Sequence, residues 1–191
     1  GFGRLGRFFW GFEMMDARPD IVVLGKPIAN GFPLGAVITT PEIARSFDNG
    51  MEFFSTFGGS PVAAAAGLAV LDVLRDEGLP ERAHQMGERL MRGLREIASR
   101  RSIVGDVRGH GLFLGVELVR DPATLEPATR EARYIVNRLR ALGVLAGTDG
   151  PHENVIKLRP PLVLGASELD LFLEVFDRVL SEDAAQPGAL A

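Results

Sequence analysis

The chain has 191 residues, of which 46% are hydrophobic and 24% charged, and a formal net charge of -4, the profile of a globular protein rather than a disordered one. Acidic residues outnumber basic ones by 25 to 21, so the clustered positive field needed for nucleic acid or an anionic membrane is not expected, and small-molecule chemistry is the default. Cysteine is absent; this excludes disulfide scaffolds, thiolate nucleophiles, iron–sulfur clusters and cysteine-based zinc sites, and makes a cytoplasmic location the expectation. His84, His110 and His152 are scattered without ligand-like spacing, so no metal site is expected. No uninterrupted apolar run of about 18 residues occurs, so no transmembrane helix is expected. The chain begins at Gly1, without a basic leader or cleavage pattern, and reads as a piece of something longer.

In chain order, the first sixty residues are rich in glycine and aromatics and read as short strands and tight loops. Strands are expected at Ile21 to Leu24 and Leu34 to Thr39, and a short helix led by Pro41 over 42–48. Trp10 with Phe8, Phe9 and Phe12 reads as core. Ser60 as N-cap and Pro61 at the first helical position open an alanine-rich helix that runs to Glu77 before Gly78. It is apolar nearly all round, so burial on most sides is expected, with close backbone packing at Gly67. After Pro80, the recurrence of Ala83, Gly87, Leu90, Leu94 and Ile97 at threes and fours predicts a long amphipathic helix with its arginines in solvent.

A composition break near residue 100 marks the expected domain boundary. Beyond it, strands are expected at Ile103 to Val107 and Leu112 to Val119, a helix from Ala128 to Leu142, then strands at Val144 to Ala146 and Asn154 to Leu158. A last helix is expected to be capped at Ser167 with Asp170 in the capping-box position, followed by a disordered tail over 183–191.

Lys26 and Lys157 are the only lysines among the 21 basic residues. Lys26 follows the apolar run Ile21-Val22-Val23-Leu24 and Gly25. An amine leaving the end of a buried strand is desolvated, which lowers its pKa and makes it a carbonyl nucleophile, as a Schiff-base lysine must be. Spacing alone leaves open a solvated loop lysine. Thr56 lies with Gly58 and Gly59 just before a helix N-terminus, a setting that favours anionic oxygens, although an ordinary glycine-rich cap has the same pattern.

Three blocks, GFGRLGRFF at Gly1 to Phe9, PDIVVLGKPIANGFPLGAV at Pro19 to Val37 and STFGGSP at Ser55 to Pro61, together resemble the class III aminotransferase family of pyridoxal-phosphate enzymes. The resemblance implies that Lys26 carries pyridoxal 5'-phosphate as a Schiff base and that Thr56 binds cofactor phosphate across a homodimer interface. It further implies that the acid pairing with the pyridine nitrogen, the main phosphate cup and the aromatic stacking residue lie upstream of Gly1. The fold it implies is α/β of fold type I: residues 1–100 as the later part of the large cofactor-binding domain, and 101–182 as a small carboxy-terminal α/β domain.

The block DGPHENVIKLRPPL, Asp149 to Leu162, bears on the reaction. Many family members carry an arginine three residues before the Pro-Pro pair to grip a substrate carboxylate. Here Lys157 stands in that place, and an ammonium lacks the planar fork. Arg159 replaces a residue that is usually small. With RGHGLFLGVELVRD at Arg108 to Asp121, this block is more similar to the amine-phosphate phospho-lyases of the family, which eliminate phosphate from compounds such as ethanolamine phosphate. Lys157 and Arg159 are therefore the candidate substrate residues, against the alternative of strand residues facing solvent or a carboxylate partner. Two further functional readings stay open: a transaminase moving an amino group from an omega-amine or amino acid to a keto acid or aldehyde, and a cofactor-free dimerisation module.

Overall fold

The computed structural model describes residues Gly1–Ala189, and the chain divides into two compact units. The first comprises Gly1–Gly3 and Phe8–Pro80, and the second Arg4–Arg7 and Glu81–Ala191. The division thus falls after Pro80 rather than near residue 100. The reason lies in the long helix: from Glu81 on, its apolar stripe of Leu90, Leu94 and Ile97 belongs to the core of the second unit.

In the first unit, β1 (Ile21–Leu24) and β2 (Ala36–Thr39) form an antiparallel hairpin, with Ile21 opposite Thr39 and Leu24 opposite Ala36. Helix α1 (Pro41–Phe47) starts where the Thr40 hydroxyl accepts from the Ile43 amide. Helix α2 (Pro61–Asp76) starts where Ser60 Oγ accepts from the Ala63 amide and ends before Gly78, whose positive φ suits glycine. Gly67 does allow close packing, since a Cβ there would lie 2.7 Å from Leu34 Cδ2. Burial on most sides is not observed. Ala63, Gly67 and Leu74 are covered, whereas Val62 and Leu68 are 65% and 62% exposed. Phe2, Phe9, Trp10 and Phe12 form a half-buried ring cluster in which Trp10 and Phe12 stack at 5.9 Å.

The second unit is built on an antiparallel sheet in the order β3-β4-β7-β6, with β5 beside β4. Its strands are β3 (Val104–His110), β4 (Phe113–Asp121), β5 (Glu126–Pro127), β6 (Gly147–Asp149) and β7 (Val155–Leu158). Helices α3 (Leu79–Ala98), α4 (Thr129–Ala141) and α5 (Ala166–Leu180) close one core over the sheet. That core takes Val107 from β3, Leu114, Val116 and Leu118 from β4, and Ile156 and Leu158 from β7, one side of each strand. Helix α3 approaches the β3–β4 turn so closely at Gly87 that a Cβ would lie 2.3 Å from the Gly111 carbonyl oxygen.

Three local expectations are corrected. The strand expected at Val144 to Ala146 lies instead at β6, because the short turn after Asp149 sets the register in which Gly147 faces Lys157. Helix α5 starts after Gly165, not Ser167: Glu168 Oε2 accepts from the Gly165 amide, and Asp170 pairs with Arg89. The tail is ordered through Ala189. Ala185 is fully buried, and the Gly188 amide donates at 3.1 Å to the buried Glu131 carboxylate, which also accepts from Arg120 Nε at 3.0 Å. The tail expectation for Leu190 and Ala191 lies outside the described residues. No helix among the described residues is long and apolar enough to cross a membrane.

Phe176 is fully buried and stacks on Phe172, whereas Leu171 is 55% exposed. Phe176→Ala should therefore cost about 3–5 kcal/mol in denaturant unfolding of the full-length protein. Leu171→Ala should change stability by no more than about 0.5 kcal/mol.

Candidate active site

The first-unit candidates, Lys26 and Thr56, sit on the loops that follow β1 and precede α2. Gly25 ends the strand run, and Lys26 begins a 3-10 turn, Lys26–Ala29, that buries Ile28 and Ala29 beneath it. Lys26 itself has φ 49°, the left-handed region, a conformation that costs a non-glycine residue free energy and gathers at functional positions. A cleft of about 360 Å³ adjoins this turn, lined by Phe2, Trp10, Phe12, Leu24, Gly25 and Pro27, among others. The desolvated amine expected from the sequence is not what this chain presents. Strand β1 alternates exposed and half-buried residues, and Lys26 is exposed.

Thr56 is exposed, in the turn that leads into α2. Ser55 Oγ accepts from the Gly58 amide at 3.0 Å and so closes the turn around it. The Ser60 cap and Pro61 then orient the first turn of α2, where proline lacks an N–H and the Ala63 and Ala64 amides are taken by Ser60, so the Val62 amide and the helix dipole are what the turn offers an anionic oxygen.

The second-unit candidates, Lys157 and Arg159, share strand β7 and its continuation. Strand alternation places Ile156 and Leu158 in the core and Lys157 on the opposite face. The pairing aligns Arg108, Gly115, Lys157 and Gly147 in one row across four strands, and Asp106, Glu117, Val155 and Asp149 in the next. Lys157 thus stands between two glycines. A Cβ at Gly147 would meet nothing within 4 Å, while one at Gly115 would stand 3.0 Å from Val155 Cγ1, so the ammonium borders a notch that opens on the Gly147 side.

Charge on this face is paired between the rows. Arg108 donates to Asp106 at 2.7 Å and to Glu117 at 2.6 Å. Lys157 Nζ donates to Asp149 Oδ2 at 2.6 Å, with Val155 in the place where a second acid would stand. The hydrogen bond from Lys157 holds the Asp149 carboxyl below the ordinary carboxylate range, helped by the Gly150 amide and by the charge of Arg159. Arg159 is exposed. Beside it, Arg4 is fixed by two hydrogen bonds from NH1, to the Leu112 carbonyl at 3.1 Å and to the Pro160 carbonyl at 2.6 Å. Burial, and then the charge of Arg159, lowers the Arg4 pKa. A groove of about 620 Å³ borders the strand and is lined by Lys157, Arg159, Pro161, Leu164 and Phe172, among others.

Lys26 and Thr56 therefore belong to the first unit, Lys157 and Arg159 to the second, and the last two are brought together on one strand. Sequence reasoning missed Asp149 and Arg4. Asp149 becomes legible only when β6 is placed over Gly147–Asp149, since antiparallel pairing then sets it diagonally across from Lys157. Arg4 carried no signal beyond its place in the first glycine block.

The family model for class-III aminotransferases matches residues 1–180. Among curated relatives, the alanine–glyoxylate aminotransferase 2-like protein of Drosophila melanogaster is 44% identical over 95% of this chain and 37% of its own length. The ethanolamine-phosphate phospho-lyase homolog 1 of Caenorhabditis elegans is 42% identical over 95% of this chain and 39% of its own length. Among solved structures, a phospholyase from Arthrobacter in complex with phosphoethanolamine aligns with a TM-score of 0.92 and 42% identity, covering 95% of this chain and 43% of that one. The chain thus spans about two fifths of the length of the proteins it matches.

Arg4 satisfies two carbonyls that are partly buried with it. Arg4→Ala should lower unfolding stability of the full-length protein by about 1–3 kcal/mol. An unchanged denaturation midpoint would show that these contacts do not hold the Pro160 loop.

Proposed function

The chain belongs to the class III aminotransferase family, and from that premise we propose that it is part of a pyridoxal 5'-phosphate enzyme that acts on a primary amine through Lys26, by eliminating phosphate from an amine phosphate such as ethanolamine phosphate. The observation that carries the phosphate reading is the notch around Lys157. A single ammonium beside the open space at Gly147, with Arg159 two residues on, offers point charges and room to an anion. A carboxylate is better served by a planar guanidinium fork, which position 157 lacks.

The residues present fit the cofactor. Lys26 supplies a primary amine at a loop position of positive φ beside a cleft, and Thr56 supplies a hydroxyl in the turn that leads to the N-terminal end of α2. Bound pyridoxal phosphate supplies an aldehyde that condenses with primary amines and an electron-withdrawing ring that stabilises negative charge on the neighbouring carbon. Lys26 would hold the cofactor, and its Nζ when free would be the base that removes the proton from the substrate's nitrogen-bearing carbon. The carbon–oxygen bond on the adjacent carbon breaks, and phosphate leaves with the bonding electrons. Lys157 and Arg159 neutralise that phosphate. Addition of one water then balances the reaction as an aldehyde, ammonia and inorganic phosphate. Thr56 would help hold the cofactor's phosphate across a homodimer interface, a role suited to its exposed position. The uncovered apolar side of α2 supports burial against further protein in that assembly.

Transamination is the second reading, favoured by the aminotransferase name of the Drosophila relative. The two separate in one assay: full-length protein with pyridoxal phosphate and ethanolamine phosphate, without a keto-acid acceptor, followed by release of inorganic phosphate. The expected outcome is catalytic release independent of acceptor. Absence of release, together with acceptor-dependent turnover of amines, would replace elimination by transamination.

Lys26→Ala in the full-length protein should leave far-UV circular dichroism unchanged, since Lys26 begins a short 3-10 turn and is not one of the core side chains, while abolishing turnover and the visible absorption of lysine-bound cofactor. A fully active variant would overturn the assignment of the catalytic lysine.

A further inference from the structure

The two cations that the sheet presents on its outer face are not equally neutralised. Arg108 is met by two carboxylates, Asp106 and Glu117. Lys157 is met by Asp149 at 2.6 Å, while Val155, the residue opposite Asp149 on the neighbouring strand, brings no charge. Asp149 belongs to the edge strand β6, is more than half exposed, and its other oxygen accepts from the Gly150 amide. The carboxylate is therefore held in place by its own turn, independently of the lysine. Along the row, Gly147 leaves open space beside Lys157, whereas on the other side a Cβ at Gly115 would stand 3.0 Å from Val155 Cγ1, so the opening lies toward β6.

This geometry lets an anion reach Nζ from the notch while Asp149 stays at its own side. Resting on the reading of Lys157 as a substrate-phosphate contact, we propose that Asp149 is a resident counter-ion of the phosphate seat, a positioning residue that reclaims Lys157 as phosphate departs and so promotes product release. Two anions then compete for one ammonium. A bound phosphate is repelled by a fixed negative charge a few ångströms away, and the Lys157–Asp149 contact re-forms when it leaves. The contact also keeps the lysine side chain at one position on the strand between turnovers, so the seat is oriented before substrate arrives. Because the hydrogen bond from Lys157 holds the Asp149 carboxyl below the usual carboxylate range, the competitor is ionised throughout the neutral range.

The test is calorimetric titration of inorganic phosphate into the full-length protein saturated with pyridoxal phosphate, on wild type, Asp149→Asn and Lys157→Ala. Asparagine keeps an oxygen for the Gly150 amide and removes the charge. Asp149→Asn is expected to bind phosphate about two- to fivefold more tightly, with a lower KM for ethanolamine phosphate and stronger product inhibition. Lys157→Ala is expected to bind phosphate about tenfold more weakly. Weaker or unchanged phosphate binding in Asp149→Asn, with binding still weakened by Lys157→Ala, overturns the role of Asp149 and leaves the seat standing. Unchanged binding in Lys157→Ala overturns the seat and the role of Asp149 with it.

Discussion

Strand β7 separates two kinds of chemistry by a single residue step, and the second unit depends on that separation. Ile156 and Leu158 fill the core beneath helices α3, α4 and α5, while Lys157 between them stands on the other face. Burial of the two apolar side chains, worth about 1.5–3 kcal/mol each, fixes which way the lysine faces. A slip of one residue in register would drive an ammonium into the core and lift two apolar side chains into water. The position of a candidate substrate contact is thus secured by hydrophobic packing rather than by its own hydrogen bond, which is exposed and contributes little to stability.

Much of the fold was legible where local chemistry decides structure. Ser60 and Pro61 open α2 and Gly78 follows it because cap and breaker act over one turn, whatever the rest of the chain does. The α3 stripe of Leu90, Leu94 and Ile97 was readable for the same reason, periodicity being a local property. Strand β6 was not, because Gly147 and Asp149 are poor strand formers and Thr148 stands alone between them. They pair because β7 offers a register, which is a tertiary fact. The side on which α3 packs was hidden on similar grounds: the composition changes near residue 100, but the compact units of this chain divide after Pro80 because the partners of α3 lie far along the chain. The apolar surface of α2 shows the opposite limit, since residue type reveals what water disfavours without revealing what covers it.

The candidate site divides along the same line. Lys26 and Thr56 were found because their surroundings are contiguous in sequence, one behind a strand and a glycine, the other ahead of a capped helix. The Lys157–Asp149 contact joins residues eight positions apart through a turn whose geometry residue types do not announce. Arg4 meets the Pro160 carbonyl across 156 positions, beyond any local pattern. The candidate residues with chemistry-bearing side chains were legible, and the contacts around Lys157 and the Pro160 loop, made by Asp149 and Arg4, were not.

The carboxylate of Glu131 has a consequence for how the second unit is made. It is closed from water by Arg120 on one side and by the Gly188 amide on the other. Its helix, α4, ends at Ala141, so the nascent chain carries this acid through the synthesis of dozens of residues before its last partner exists. A buried carboxylate lacking a donor is costly. The second unit therefore reaches its final packing only once the segment through Gly188 is available to it, so a backbone amide that is made late completes the setting of an acid placed in the chain well before it.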